Sequence, residues 1–193
     1  MRILLACLVV FLLNGCLTIK VKTPSNTAYN FGSVAEESDF GIYKTKENSY
    51  DCDRKIKTIR LDIDIPAYLN TKNILVESRL ESNTINKLEG ASWIDLPSIL
   101  FKEKLESSIA SKCYSIGFSN DTLKLKFVSF NLVKDKEQFA QIRLNYFIYH
   151  GSKLVKSGGI DSIYKVLDDT TNSKMQAMQN AINKVILDIR DKL

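Results

Sequence analysis

Strict alternation of apolar and polar residues is the feature that most limits what this chain can fold into. In TIRLDIDIP, residues 58–66, Ile59, Leu61, Ile63 and Ile65 alternate with Arg60, Asp62 and Asp64. A period of two places one set toward a core and the other toward water, so the segment reads as a half-buried strand closed by Pro66. Residues 139–149 repeat the pattern, with Ala140, Ile142, Leu144, Tyr146 and Ile148 on one face. Leu123, Leu125 and Phe127 alternate too, but Val128, Phe130 and Leu132 take the opposite parity, which predicts a bulge or a change of exposed face. Weaker strand signals cover 73–80, a hairpin return near 83–88, and 153–157. Gly158-Gly159 is expected to kink the chain before another extended piece through Val166.

Two segments change to a helical period. Around ASWIDLPSILFKEKLESSIASKC, Asp95 is the expected cap and Pro97 suits the first turn, where its missing donor costs nothing. Ile99, Leu100, Leu105 and Ile109 supply an approximate apolar face, and Gly117 is a break after it. Near the end, Met175, Met178, Ile182, Val185 and Ile189 recur at spacings of three and four behind the N-cap candidates 168–172. Two helices with these strands predict an α+β fold: a two-layer domain whose mainly antiparallel or mixed sheet is packed by two principal helices. At 193 residues, one domain is expected.

The N-terminus carries the clearest functional signal. Arg2 precedes the apolar run Ile3–Leu13, which is shorter than the roughly 20 residues needed to cross a bilayer. The run ends in Leu13-Asn14-Gly15-Cys16, which resembles the lipobox of bacterial lipoproteins; Asn14 departs from the usual small or branched residue. That resemblance implies a signal peptide over 1–15, cleavage before Cys16, and acylation of its thiol and new amine, so the chain would meet the membrane through lipid. The alternative is that Cys16 simply ends a hydrophobic segment. Leu17 stands where an Asp often retains such proteins at the inner membrane, which favours the outer membrane. Residues 16–50 read as a lipidated N-terminus and tether, with irregular or edge structure and a short strand at 41–44, ahead of a single domain over 51–193. Of the four cysteines, Cys52 and Cys113 remain after Cys7 and Cys16 are set aside. In an exported domain they suggest a disulfide; two reduced cysteines are the alternative.

Catalytic chemistry is poorly represented. His150 is the single histidine and lies beside a turn, outside any metal-binding spacing. There is no nucleophile elbow or phosphate loop, and the isolated Cys52 and Cys113 do not read as a zinc site. Asp62 and Asp64 share a strand face with Arg60, which suits a solvated salt-linked surface better than a paired-carboxylate site. The formal charge of +5 is mild, and no nucleic-acid motif accompanies it. The expectation is a non-enzyme with no cofactor, no metal and no nucleic-acid partner. Trp93 suits either a core role or an interface, and the Met175–Met178 stripe suits core more than a recognition surface.

In order, these features resemble the bacterial ABC-type transport auxiliary lipoproteins, the group that includes PqiC and YmbA-like proteins. Pro66, Tyr68 and Leu69 match a P-x-Y-L-D-like passage, with Asn70 in place of Asp; Ile74, Val76 and Arg79 match the strand that follows. Trp93, Leu96 and Pro97 resemble a W-x-x-P-L-like helix opening in altered local order. The similarity covers roughly 56–193. It implies an accessory component of an ABC/Mce-type lipid-transport system, lipid-anchored on the periplasmic face of the outer membrane, acting as scaffold or docking element. Its partners would be ABC-transporter or Mce-type components, with a homo-oligomer left open. Tyr68, Arg79 and Trp93 are the interface or core candidates. The rival reading is a standalone envelope lipoprotein that binds or helps assemble an unrelated outer-membrane protein.

Overall fold

The alternating segments do become strands, and one of them organises the rest. A computed structural model describes residues 26–32, 52, 56–80 and 84–193. Their elements run β1 (Thr27–Tyr29), β2 (Lys57–Asp64), β3 (Asn73–Ser78), β4 (Thr84–Trp93), α1 (Pro97–Ala110), β5 (Tyr114–Ile116), β6 (Asp121–Lys134), β7 (Gln138–His150), β8 (Lys153–Lys165) and α2 (Thr171–Arg190). The lipobox-like sequence ending at Cys16, the strand expected at 41–44 and most of the expected tether lie outside the described residues.

All eight strands join one mixed sheet. β6 pairs antiparallel with β7 along its whole length, and β7 with β8. On its other edge β6 takes two parallel neighbours in succession: β2 opposite Thr122–Lys126 and β3 opposite Leu132–Lys134. β4 pairs antiparallel with β3, while β1 and β5 run parallel to β4 and β2. The sheet is therefore mixed, one of the two forms the pattern allowed.

The parity change in β6 is a bulge. Its register with β7 shifts between Phe127 and Ser129, leaving Val128 exposed. The extra residue turns both Phe127 and Phe130 toward the helices, where each is buried. α2 lies against β6, β7 and β8; α1 lies against α2, β2 and β5. Leu123, Leu125, Ile142 and Leu144 meet Met178, Ile182, Val185 and Ile189 in the core between the layers. Met175 and Met178 are buried here, so the methionine stripe is core. The opposite sheet face carries charge: Lys124 Nζ lies 3.3 Å from Asp62 on β2, and Arg143 2.8 Å from Asp161 on β8. Asp62 thus pairs across the strands, and Asp64 faces Lys126 in register. The two carboxylates line a salt-linked face.

Local expectations are corrected at four places. Gly158 and Gly159 do not kink the chain, because β8 is continuous through both. A Cβ on Gly158 would lie 2.8 Å from the Tyr146 Oη, so this glycine makes room for a buried cross-strand tyrosine. Asp95 does not cap α1; its carboxylate accepts from the Leu96 amide, and Asn70 Oδ1 accepts from Ser98 N at 3.0 Å. Gly117 is not the break after α1, which ends near Ser111. Cys113 then turns the chain at φ 59° into β5. The domain does not begin at 51 either, since β1 joins the sheet and Phe31 enters the core. An apolar residue in a polar, turn-rich stretch gives no periodicity, and only the cavity that receives it reveals the role.

Cys52 and Cys113 form a disulfide, their Cα atoms 5.7 Å apart. It ties the chain entering β2 to the turn between α1 and β5. Reduction, or Cys52→Ala with Cys113→Ala, should lower the unfolding free energy in urea by about 2–4 kcal/mol. Gly158→Ala should cost about 1–3 kcal/mol through overpacking, and a double-mutant cycle with Tyr146→Leu should recover part of it.

Candidate functional site

No catalytic constellation forms among the described residues, and no group of three or more His, Cys, Asp or Glu gathers there as a metal site. His150 is exposed and its Nδ1 lies 2.6 Å from the Asp121 carboxylate, a turn-stabilising pair at the sheet end. The features that stand out concern attachment and surface. They centre on how the N-terminal segment 26–32 is held.

This segment crosses the β4 edge and then dips inward. Tyr29 O accepts from Ile94 N at 2.8 Å, and Asn26 Nδ2 donates to Ser92 Oγ at 3.0 Å. Phe31 is buried in an aromatic cluster, its ring 5.0 Å from Trp93 edge-on and 5.6 Å from Phe130. Phe127 and Phe101 extend that cluster into the helical layer. Edge-to-face contacts suit the ring quadrupoles as well as removing apolar area from water.

Beside Phe31 the carbonyls that leave the core meet a buried ammonium. Lys104 Nζ donates to Phe31 O at 2.6 Å and to Gly32 O at 2.7 Å, with the lysine only 7% exposed. Among the described residues no carboxylate pairs with it. Burial pushes its pKa down from 10.5 to about 8, because a low-dielectric site disfavours the charged form. The two carbonyl acceptors oppose that shift and supply the contacts an ammonium needs. Gly32, at φ 70°, turns the chain against Gln179 of α2, whose amide donates to Asn30 O at 3.3 Å. The segment is thereby strapped to β4, α1 and α2 together.

The interface or core candidates do not converge. Trp93 ends β4 and is 2% exposed, inside the aromatic cluster. Arg79 lies just past β3, donating to Glu77 at 2.9 Å and to Gln141 at 3.1 Å, with its guanidinium 5.7 Å from the centre of the Phe139 ring. Tyr68 sits in the turn after β2, 57% exposed. Its neighbour Asn70 caps α1, so the passage from Pro66 to Asn70 positions the helix whose lysine holds the strap. Cys16 lies outside the described residues.

Lys104 and Phe31 are the residues that sequence reasoning missed. A signal existed for the lysine: it falls between Leu100, Phe101 and Ser108 on the buried stripe of α1, where a cation demands a partner. For Phe31 the surrounding polar sequence concealed the role. Phe31→Ala should cost about 3–5 kcal/mol and expose the Ile94 amide to hydrogen exchange. Lys104 binds its proton less tightly folded than unfolded, so the stability it withholds below pH 8 returns as pH rises from about 8 to 10.5. Urea titrations across that window should show wild type gaining on the order of 2 kcal/mol relative to Lys104→Met.

Comparison with known proteins gives a fold likeness. No family model matches the sequence, and no curated protein matches it. A crystal structure of a Xanthomonas campestris protein of family DUF330 aligns with TM-score 0.63 at 15% identity, covering 70% of this chain and 82% of that one. The crystal structure of an uncharacterised protein aligns with TM-score 0.65 at 10% identity, covering 87% and 98%. A minor lipoprotein from Acinetobacter baumannii aligns at TM-score 0.43 and 12% identity, covering 71% and 91%. At these identities the first two likenesses establish a shared fold, an α+β architecture that this chain has in common with a DUF330 protein.

Proposed function

We propose that this chain is a lipid-anchored periplasmic accessory component of an ABC/Mce-type lipid-transport system, held in the outer membrane and acting as a scaffold or docking element. One observation carries the reading: a DUF330-type fold occupies the chain downstream of a Leu-Asn-Gly-Cys sequence that resembles a lipobox. The described surface supports a binding role. It presents salt-linked sheet strands and exposed apolar side chains at both ends of the sheet, among them Leu167 and Phe118. In this reading Cys16 carries the acyl chains. Each buried methylene contributes about 0.8 kcal/mol, so two or more chains hold a domain of this size stably at a bilayer.

Metabolic labelling with a palmitate analogue should mark wild type and leave Cys16→Ser unmarked; equal labelling would remove the anchor from the proposal. Affinity purification of the acylated chain should recover an ABC or Mce-type component. Stable recovery of an unrelated outer-membrane protein without transporter components would instead favour a standalone assembly lipoprotein.

A further inference from the structure

The strap fixes which end of the domain an anchor at Cys16 can reach. β3, β6 and β8 finish, and β4 and β7 begin, at one end of the sheet: Ser78 lies beside Thr84 and Lys134, Lys134 beside Gln138, and Lys165 beside Phe139. β1 runs parallel to β4, with Thr27 beside Ala91 and Tyr29 beside Trp93, so the chain preceding Thr27 enters from that end. Residues 17–26 separate Cys16 from β1, ten residues that span at most about 35 Å when fully extended. β4 bulges between Lys87 and Ser92, where five steps oppose two of β3, so its run from Thr84 to Ser92 matches Ser78–Asn73, about 17 Å, and the level of Asn26 falls within that length. The tether clears this end with about 18 Å or more to spare. The opposite end, at Asp121 and His150, is about 30 Å down β6 and several strands across. Reaching it would consume the whole tether and leave nothing to enter a bilayer.

The reachable end has a surface suited to lipid. Leu80, Ile85 and Leu167 project there at 60%, 52% and 83% exposure. The same end carries a recess of about 300 Å³, lined by residues of β3, β4 and β6, by Gln138 at the start of β7 and by Asp169 and Lys174 around the start of α2. Its wall includes Ser78, 5% exposed with an unpartnered Oγ, and the ammonium groups of Lys87, Lys134 and Lys174. Glu89 and Asp169 line the same recess and pair there with Lys87 and Lys174, which leaves Lys134 as the lining lysine outside an ion pair among the described residues. Lys134 and the Ser78 hydroxyl suit a headgroup phosphate, and the exposed carboxylates Glu89 and Asp169 suit its ammonium, so the recess matches a zwitterionic headgroup better than a purely anionic one. Balanced charge also means that apolar insertion, with no electrostatic pull, must supply most of the contact energy.

We propose that this end of the domain rests on the membrane that holds Cys16, with Leu80, Ile85 and Leu167 entering the headgroup region of a zwitterionic phospholipid leaflet and a headgroup occupying the recess. The proposal depends on acylation of Cys16. It leaves the far end, where Phe118 is fully exposed beside the β7–β8 turn that Gly151 N ties to Asn120 O, pointing away from the bilayer.

The test uses the acylated full chain in nanodiscs of phosphatidylethanolamine with a minor share of phosphatidylglycerol. A bimane label is placed through Ile85→Cys, Leu167→Cys or Phe118→Cys, and quenching by brominated lipid is read for each. Labels at 85 and 167 should be quenched at least twofold more than the label at 118, and raising the salt concentration should leave that difference in place. Equal quenching at all three positions, stronger quenching at 118, or none at 85 and 167 overturns the proposal. Cys16→Ser separates the underlying reading. A variant that enters nanodiscs as fully as wild type shows that Cys16 is not the anchor and removes the tether argument; a variant that stays outside confirms that the quenching pattern reports orientation alone.

Discussion

The bulge at Val128 is the constraint on which the rest of this domain depends. A regular β6 would send Phe127 and Phe130 to opposite sheet faces, since their spacing is odd. One extra residue brings both into the core, joining the Phe101–Phe127 contact under α1 to the Phe31–Trp93–Phe130 cluster under the strap. It also divides the strand's other edge. Below the bulge β6 carries β2, and above it carries β3, so the sheet widens on one side through two separate parallel pairings. The aromatic cluster and the sheet order thus share one local cause.

The strap shows how a polar price is met beside an apolar gain. Phe31 gains by leaving water, but the backbone that follows must come back out of the core with its carbonyls intact. Those acceptors need donors, and Lys104 reaches both. A neutral side chain would avoid burying a charge but would leave Phe31 O and Gly32 O without the lysine's donors. The arrangement ties residues 26–32 to α1, while Gln179 ties them to α2. It also fixes the end of the sheet from which β1 is entered, which bears on the proposal that Cys16 carries the anchor.

The architecture was largely legible because alternation and helical stripes are consequences of burial on one face. β2, β6, β7 and α2 can be read from side-chain parity alone, and even the bulge announced itself as a parity break. The errors came where a residue's reason lies in a distant partner. Gly158 yields space to Tyr146 on the neighbouring strand, and Asn70 caps a helix 28 positions later. Neither relation leaves a periodic mark. Of the site candidates, Trp93 proved to be a core residue, while Tyr68 and Arg79 occupy separate surfaces. No sequence spacing could have decided that separation, because it follows from the order of strands in the sheet.

By itself, then, the sequence determined the two-layer class, the faces of the strong strands, the amphipathic helix at the end and the presence of a cysteine at the close of a short apolar run. These depend on near-neighbour periodicity and on hydropathy, which a linear chain carries explicitly. Tertiary structure alone decided that β6 would take β2 and β3 in turn, that residues 26–32 belong to the domain, and that Lys104 would spend its charge on two carbonyls. The reason is physical: those outcomes depend on which apolar surfaces and unsatisfied backbone groups meet across long sequence separations, and that is settled only when the layers close.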